Sequence, residues 1–291
     1  MNIWRRWADH CNRPTDTRVY AAMRIGLAAL VLGDIAHLYA LGVADEVYHT
    51  FQHGGLSAFA GKTDVLGGIH PDAGMAALGF LVLCMLCVAT GVATRPALLA
   101  GVLTYAALGS LYPPGDRGID RIVRSAMLLL IFSGSHLRWS LWRHIRGCAP
   151  VLHSPAWPAD MTRWLLVVIY LSAGVGKLGH SAWLSWSGPP ELYTILTDPL
   201  AGRLDAVWWH GLWWPFWVGG LVTIVLEVSS PLLLWKRIAP WWGLGGVGLH
   251  LGIAATMGLG IFPWGMLALY PAVFAEWLTT PQPPSTPVSK S

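Results

Sequence analysis

The sequence predicts an all-α integral membrane protein, a polytopic bundle of about eight transmembrane helices with a cytoplasmic N-terminus. Three observations carry this. Of 291 residues, 54% are hydrophobic and 12% charged, about half the ~25% charged share of a soluble domain. Apolar runs approaching the roughly 20 residues that cross a bilayer recur along the chain. The positive charges also sort by side. Twelve of the 19 Lys and Arg fall on one set of loops and five on the other, with Arg24 and Lys177 inside helices. The positive-inside rule makes the richer side, which includes the N-terminus, cytoplasmic.

Residues 1–18, "MNIWRRWADHCNRPTDTR", form a basic cytoplasmic N-terminus. They lack the apolar core and small-residue cleavage site of a signal peptide, so the first span is expected to stay in the mature protein. A single transmembrane domain, 19–278, follows, with spans over 19–42, 73–93, 96–112, 119–136, 162–179, 213–235, 239–258 and 261–278. The short segments 96–112 and 119–136 flank "YPPGDRGID" and read as a tight, partly re-entrant hairpin, so the count runs from six to eight. The long outer loops are 43–72 and 180–212. The second leads into "WWHGLWWPFW", Trp208 to Trp217, whose rings suit the headgroup level of a bilayer or the flank of a lipid-like ligand. The tail 279–291, "TTPQPPSTPVSKS", is Pro/Ser-rich and expected to be disordered.

A formal charge of +4, scattered as it is, argues against nucleic-acid binding. The bilayer is the first expected partner. Cys11, Cys84, Cys87 and Cys148 are the four cysteines. "CMLC" lies mid-helix with no second ligand pair, so it reads as free thiols and no metal site is predicted.

Ionisable residues in hydrocarbon cost about 2.5–3.5 kcal/mol each on insertion scales, so each needs a partner or a use. At ~1.5 Å per residue, Arg24 lies about 9 Å above the inner end of the first helix and Glu227 about 12 Å above that of the sixth. Their similar depth and opposite charge predict an ion pair that fixes helix packing. In the outer half, Asp34, His37, Asp120, Arg121, Arg124, Lys177 and His250 are expected to converge on one polar pocket open to the outer face, where functional groups are looked for.

Lys177 closes "YLSAGVGK". Ser172, Ala173, Gly174 and Gly176 on its helix let a neighbour approach closely. Desolvation there favours a neutral amine, which is a base or nucleophile where an ammonium is neither. A lysine at a helix end can also simply snorkel to the interface.

"GIDRIVRSAMLLLIFSG", "IYLSAGVGKLGHSAWLSW", "LEVSSPLLL" and "GGVGLHLGIAATMGLGIFPWGMLALY", in that order and spacing, resemble the horizontally transferred transmembrane (HTTM) domain family. This is the membrane domain of vitamin K-dependent gamma-carboxylases and of bacterial relatives. The resemblance covers roughly residues 15–280. It implies a multi-pass protein of a bacterial inner (plasma) membrane. It also implies an enzyme whose cofactor is a reduced quinone, vitamin K-like, deprotonated by a lysine that falls on Lys177. In those carboxylases, reaction of the hydroquinone with oxygen yields a base that removes a glutamate γ-proton, and carbon dioxide traps the carbanion. Arg121, Arg124 or His250 would stabilise the developing oxyanion, with Asp34, His37, Asp120 and Trp183 as substrate-binding candidates.

Two departures shape the expectation. The chain ends at Ser291 without the large soluble domain of the carboxylases, and "GSLYPPGDRGIDR" offers Asp116 and Asp120 where the family has a histidine. Base chemistry on a small lipid-soluble substrate of the quinol type is therefore expected before full peptide carboxylation. The alternative is a non-catalytic membrane partner, a maturation or immunity subunit for a secreted peptide, which would work with that peptide or a separate soluble protein. A transporter ranks last, since it would call for discontinuous helices in paired halves.

Overall fold

The computed structural model describes residues 3–48, 73–185 and 188–278. The predicted tail 279–291 and most of the predicted loop 43–72 lie outside them. The chain runs α1 (Ile3–Cys11), β1 (Pro14–Asp16), α2 (Thr17–Ala40), α3 (Ala44–Tyr48), α4 (Gly74–Thr90), α5 (Thr94–Leu111), α6 (Gly118–Ile131) and α7 (Leu141–Ile145). It continues through β2 (His153–Pro155), α8 (Trp157–Leu178), α9 (Glu191–Leu196), α10 (Ala206–Trp209), α11 (Trp214–Val228), α12 (Ala239–Thr256), α13 (Phe262–Leu267) and α14 (Ala275–Leu278).

The short strands were not legible in the sequence. Thr15 pairs with Ser154 at the centre of an antiparallel ribbon, which sets the starts of α2 and α8 side by side. Backbone groups at a membrane rim must find partners within the protein. Here Thr17 N–H donates to the Leu152 carbonyl at 2.9 Å and Ala156 N–H to that of Arg13 at 3.0 Å. Asp16 caps α2, its carboxylate accepting from Arg18 N–H at 2.8 Å, which satisfies one of the free donors of the first turn.

α2 lies against α4, α6 and α13. Its Met23, Leu27 and Val31 are buried in one apolar core with Leu78, Leu98, Met127 and Leu166. The outside of the bundle is apolar too. Phe80, Leu83 and Leu86 on α4, Val168 and Val175 on α8, Val222 and Val225 on α11, and Leu244 and Leu251 on α12 are all exposed. Continuous apolar faces on several helices at once suit lipid rather than water.

Among the described residues two helices, Thr17–Ala40 and Trp157–Leu178, are long and apolar enough to cross a membrane, and Gly74–Thr90 and Trp214–Val228 are shorter apolar helices. Two predicted spans are not single helices. The segment 213–235 becomes α11 plus a 3-10 turn at Ser230–Leu234, because Pro231 cannot donate to a continuing helical ladder. The segment 261–278 breaks into α13, a turn at Tyr270–Ala272 and α14, with Pro263 and Pro271 opening two of these pieces.

Candidate functional site

The last turn of α8 carries Lys177 and the last turn of α11 carries Glu227. Lys177 Nζ donates to both carboxylate oxygens of Glu227, each at 2.8 Å. The approach depends on Gly174. A Cβ there would lie 2.9 Å from Glu227 Cβ and 2.9 Å from the Val228 nitrogen, so only a hydrogen lets the helices meet at this height. The lysine side chain keeps 19% exposure against 8% for the glutamate. Nζ also lies 5.0 Å from the centre of the Trp183 ring, over its face. The amine thus has a carboxylate and an aromatic face as neighbours, and a residual opening.

Two turns lower on α8, Tyr170 is buried. Its hydroxyl lies 2.5 Å from His250 Nε2 on α12 and 2.8 Å from the Tyr270 hydroxyl. Gly246 makes room for this: a Cβ there would fall 2.0 Å from the Tyr270 oxygen. His250 is 1% exposed, and its Nδ1 has no hydrogen-bond partner among the described residues. Trp242 stands edge-on to Tyr170 at 5.1 Å. Its indole N–H is shared between the Leu226 carbonyl at 3.2 Å and Ser229 Oγ at 3.1 Å, which ties this layer to the helix end bearing Glu227.

A second polar cluster sits at the α5–α6 turn, around a cavity of about 310 Å³ whose walls include Asp34, Tyr105, Asp116, Arg117 and Asp120. Arg117 bridges Asp34 at 2.5 Å and Asp120 at 2.9 Å. Asp120 also accepts from the Tyr105 hydroxyl at 2.6 Å and from Arg117 N–H at 2.8 Å. Arg124 and Arg121 bind Asp116 at 2.7 and 3.1 Å. Burial alone would raise the Asp116 carboxyl, but the hydrogen bonds and charges of Arg124 and Arg121 outweigh it and hold the group below its ordinary value. Arg117 is held above its ordinary value: burial works against the charge, yet its bonds to Asp120 and Asp34 prevail.

A family model, the HTTM domain, matches residues 12–277. The chain belongs to the HTTM domain family. It is accordingly a membrane protein of the gamma-carboxylase-like family. No curated protein and no solved structure matches it.

Within this HTTM domain the expected single pocket resolves into two clusters. Asp34, Asp120, Arg121 and Arg124 gather at the α5–α6 turn, while Lys177, Trp183 and His250 belong to the α8–α11–α12 side. His37 is exposed and is not part of the 310 Å³ cavity wall, to which Asp34 and Leu38 contribute.

The expected Arg24–Glu227 pair is overturned. A single regular helix over 213–235 would have put Glu227 at the depth of Arg24. Because α11 stops at Val228, Glu227 stands level with Gly174 and within reach of Lys177. Arg24, fully buried, donates from Nη2 to the Trp139 carbonyl at 2.6 Å instead. Lys177 is likewise not an isolated amine. Tyr170, Tyr270 and Arg117 escaped the sequence reading. Tyr170 had one available signal, since it lies seven residues before Lys177 and therefore on the same helix face.

Proposed function

We propose that the HTTM domain of this protein is a membrane enzyme in which Lys177 and Glu227 act together as the proton-accepting unit for a lipid-soluble substrate of the quinol type. The observation that carries this reading is the pair itself: one amine held by both oxygens of one carboxylate at 2.8 Å, next to an aromatic ring, in an otherwise apolar stretch. Moving the shared proton from Nζ to Glu227 leaves a neutral pair, which a dry site tolerates, and frees the amine as a base. The donor set suits a phenolic hydroxyl, with Nζ to accept its proton and then hold the resulting negative charge, and Trp183 to cover the ring plane. A reduced quinone, when bound, supplies that acidic hydroxyl and the electrons for reaction with oxygen.

This reading includes six to eight membrane crossings built on the four apolar helices and their neighbours, in a bacterial inner membrane, with the α1 side cytoplasmic. The test is oxygen uptake by the protein in lipid nanodiscs supplied with vitamin K hydroquinone. Wild type should consume oxygen above the protein-free background, and Lys177→Met should abolish the excess when equal amounts of folded protein are compared. Uptake unchanged by Lys177→Met would make the lysine an anchor. The bidentate geometry also favours a second reading, in which the pair is a clasp between α8 and α11 in a non-catalytic partner of a secreted peptide. Lys177→Met would then preserve peptide maturation or immunity.

A further inference from the structure

At the cytoplasmic end of α8, two cavities meet. One, of about 210 Å³, is lined by Arg13, Asp160, Arg163, Trp164, Leu234 and Lys236. The other, of about 620 Å³, shares Asp160 and Trp164 and is otherwise walled by Ala8, Cys11, Asn12, Trp157 and Met161. The first holds three cations and one carboxylate; the second is largely apolar.

The cations are not saturated. Arg163 is 3% exposed, and its Nε donates to the Ala272 carbonyl at 2.8 Å. Its terminal nitrogens stand 3.7 Å from Asp160 and 3.6 Å from Glu276, beyond hydrogen-bond range. Arg13 binds Asp160 through Nη2 at 2.5 Å, while its buried Nε has no hydrogen-bond partner among the described residues. Lys236 is exposed at the rim. A guanidinium buried this deeply, with its fork unfilled and facing a cavity beside a second guanidinium and an ammonium, is a receptor for a tetrahedral anion. Trp164, half-exposed at the junction, is the residue type that marks headgroup level.

We propose that the joined cavities bind one anionic phospholipid of the inner leaflet, the phosphate lying among Arg13, Arg163 and Lys236 and an acyl chain lying along Trp157 and Met161. Basic pockets between helices on the cytoplasmic side suit such headgroups. The site is independent of the Lys177 chemistry and would serve a catalytic or a non-catalytic protein equally.

The test uses the full chain in neutral detergent with phosphatidylglycerol, phosphatidylcholine or inorganic phosphate added at equal concentration. Native mass spectrometry counts retained lipid and a thermal melt reads stability. Phosphatidylglycerol should be retained at one per chain and raise Tm, and the other two should do neither. Lys236→Glu, a surface change, should weaken phosphatidylglycerol retention at least about fivefold with yield and helicity unchanged. Equal retention of the two lipids, or retention unaffected by Lys236→Glu, would overturn the proposal. So would inorganic phosphate reproducing the Tm rise, which would assign the site to free phosphate.

Discussion

The α5–α6 turn and the α8–α11–α12 layer both concentrate ionisable groups in an apolar protein, yet they differ in how completely those groups are used. At the turn, three aspartates face three arginines. Every carboxylate oxygen of Asp34, Asp116 and Asp120 accepts from a guanidinium. Two of the arginines are substantially exposed, Arg117 at 44% and Arg121 at 69%. The α8–α11–α12 layer has one amine, one carboxylate, two tyrosines and a histidine, all in partly or fully buried positions, with His250 Nδ1 left over among the described residues. The number of charges is therefore a poor guide to chemistry. A saturated network holds a hairpin together. A sparse one with an opening and an unused nitrogen has capacity left for a substrate.

The largest effect is expected at Lys177. Lys177→Met strands Glu227 in the bundle, and removing one partner of a buried pair costs about 3–5 kcal/mol. Adding Glu227→Gln should recover most of that stability, measured by thermal melt, because no charge is then left alone. Activity should not return. Recovery of both would reduce the pair to a clasp, and failure to recover stability would mean that the two side chains are not energetically coupled.

Next in size is Asp116→Asn, which weakens the bonds from Arg121 and Arg124 and leaves Arg124, 13% exposed, without its counter-charge. A loss of about 2 kcal/mol is expected, with oxygen uptake retained. Its pH dependence has a definite sign. The folded-state value of Asp116 lies below the ordinary 3.8, so its contribution is fully present above that ordinary value and is lost as pH falls through the lowered one. Stability from this turn should hold from pH 7 to about 4 and fall below that, and Asp116→Asn should flatten that acid limb.

The long helices among the described residues could be read from the sequence, because apolar run length is set by bilayer thickness and leaves a direct trace; the short ones, such as α1, α7 and α9, could not. Seven of the predicted segments overlap a long helix. The eighth does not, since Pro263 and Pro271 divide it, a signal present in "IFPWGMLALYPA" but weaker than its hydropathy. The site was legible only residue by residue. Lys177 and His250 stand out because ionisable groups are rare in such segments. The partner of Lys177 was not legible, because depth arithmetic is only as good as the helix ends, and one proline after Ser230 moved Glu227 into a different layer. Tyr170 and Tyr270 look like ordinary apolar aromatics in a chain this rich in them; only the fold shows their hydroxyls meeting.

Tyr170→Phe comes third. It leaves His250 Nε2 and the Tyr270 hydroxyl without their shared partner, at a cost of about 1–2 kcal/mol for unsatisfied buried groups. If the layer only supports Glu227 from below, through Trp242, uptake should fall modestly with an unchanged pH profile. A displaced pH profile would place the Tyr170, Tyr270 and His250 trio on the proton path.

The smallest effect expected is at Trp183. Its ring lies 5.0 Å from Lys177 Nζ, and a cation–π contact at a partly exposed site is worth about 0.5–1 kcal/mol. Trp183→Leu should therefore scarcely shift Tm. Its value is in kinetics. If the ring is the wall against which a flat substrate lies beside the amine, the substitution raises KM several-fold while kcat holds, and Trp183→Phe restores much of the loss because a face remains for stacking. If KM stays put, the indole does no more than pack against Gly220, above which its own carbonyl sits, and the substrate must reach Lys177 from the Val175 and Leu178 side, where α8 is open to lipid.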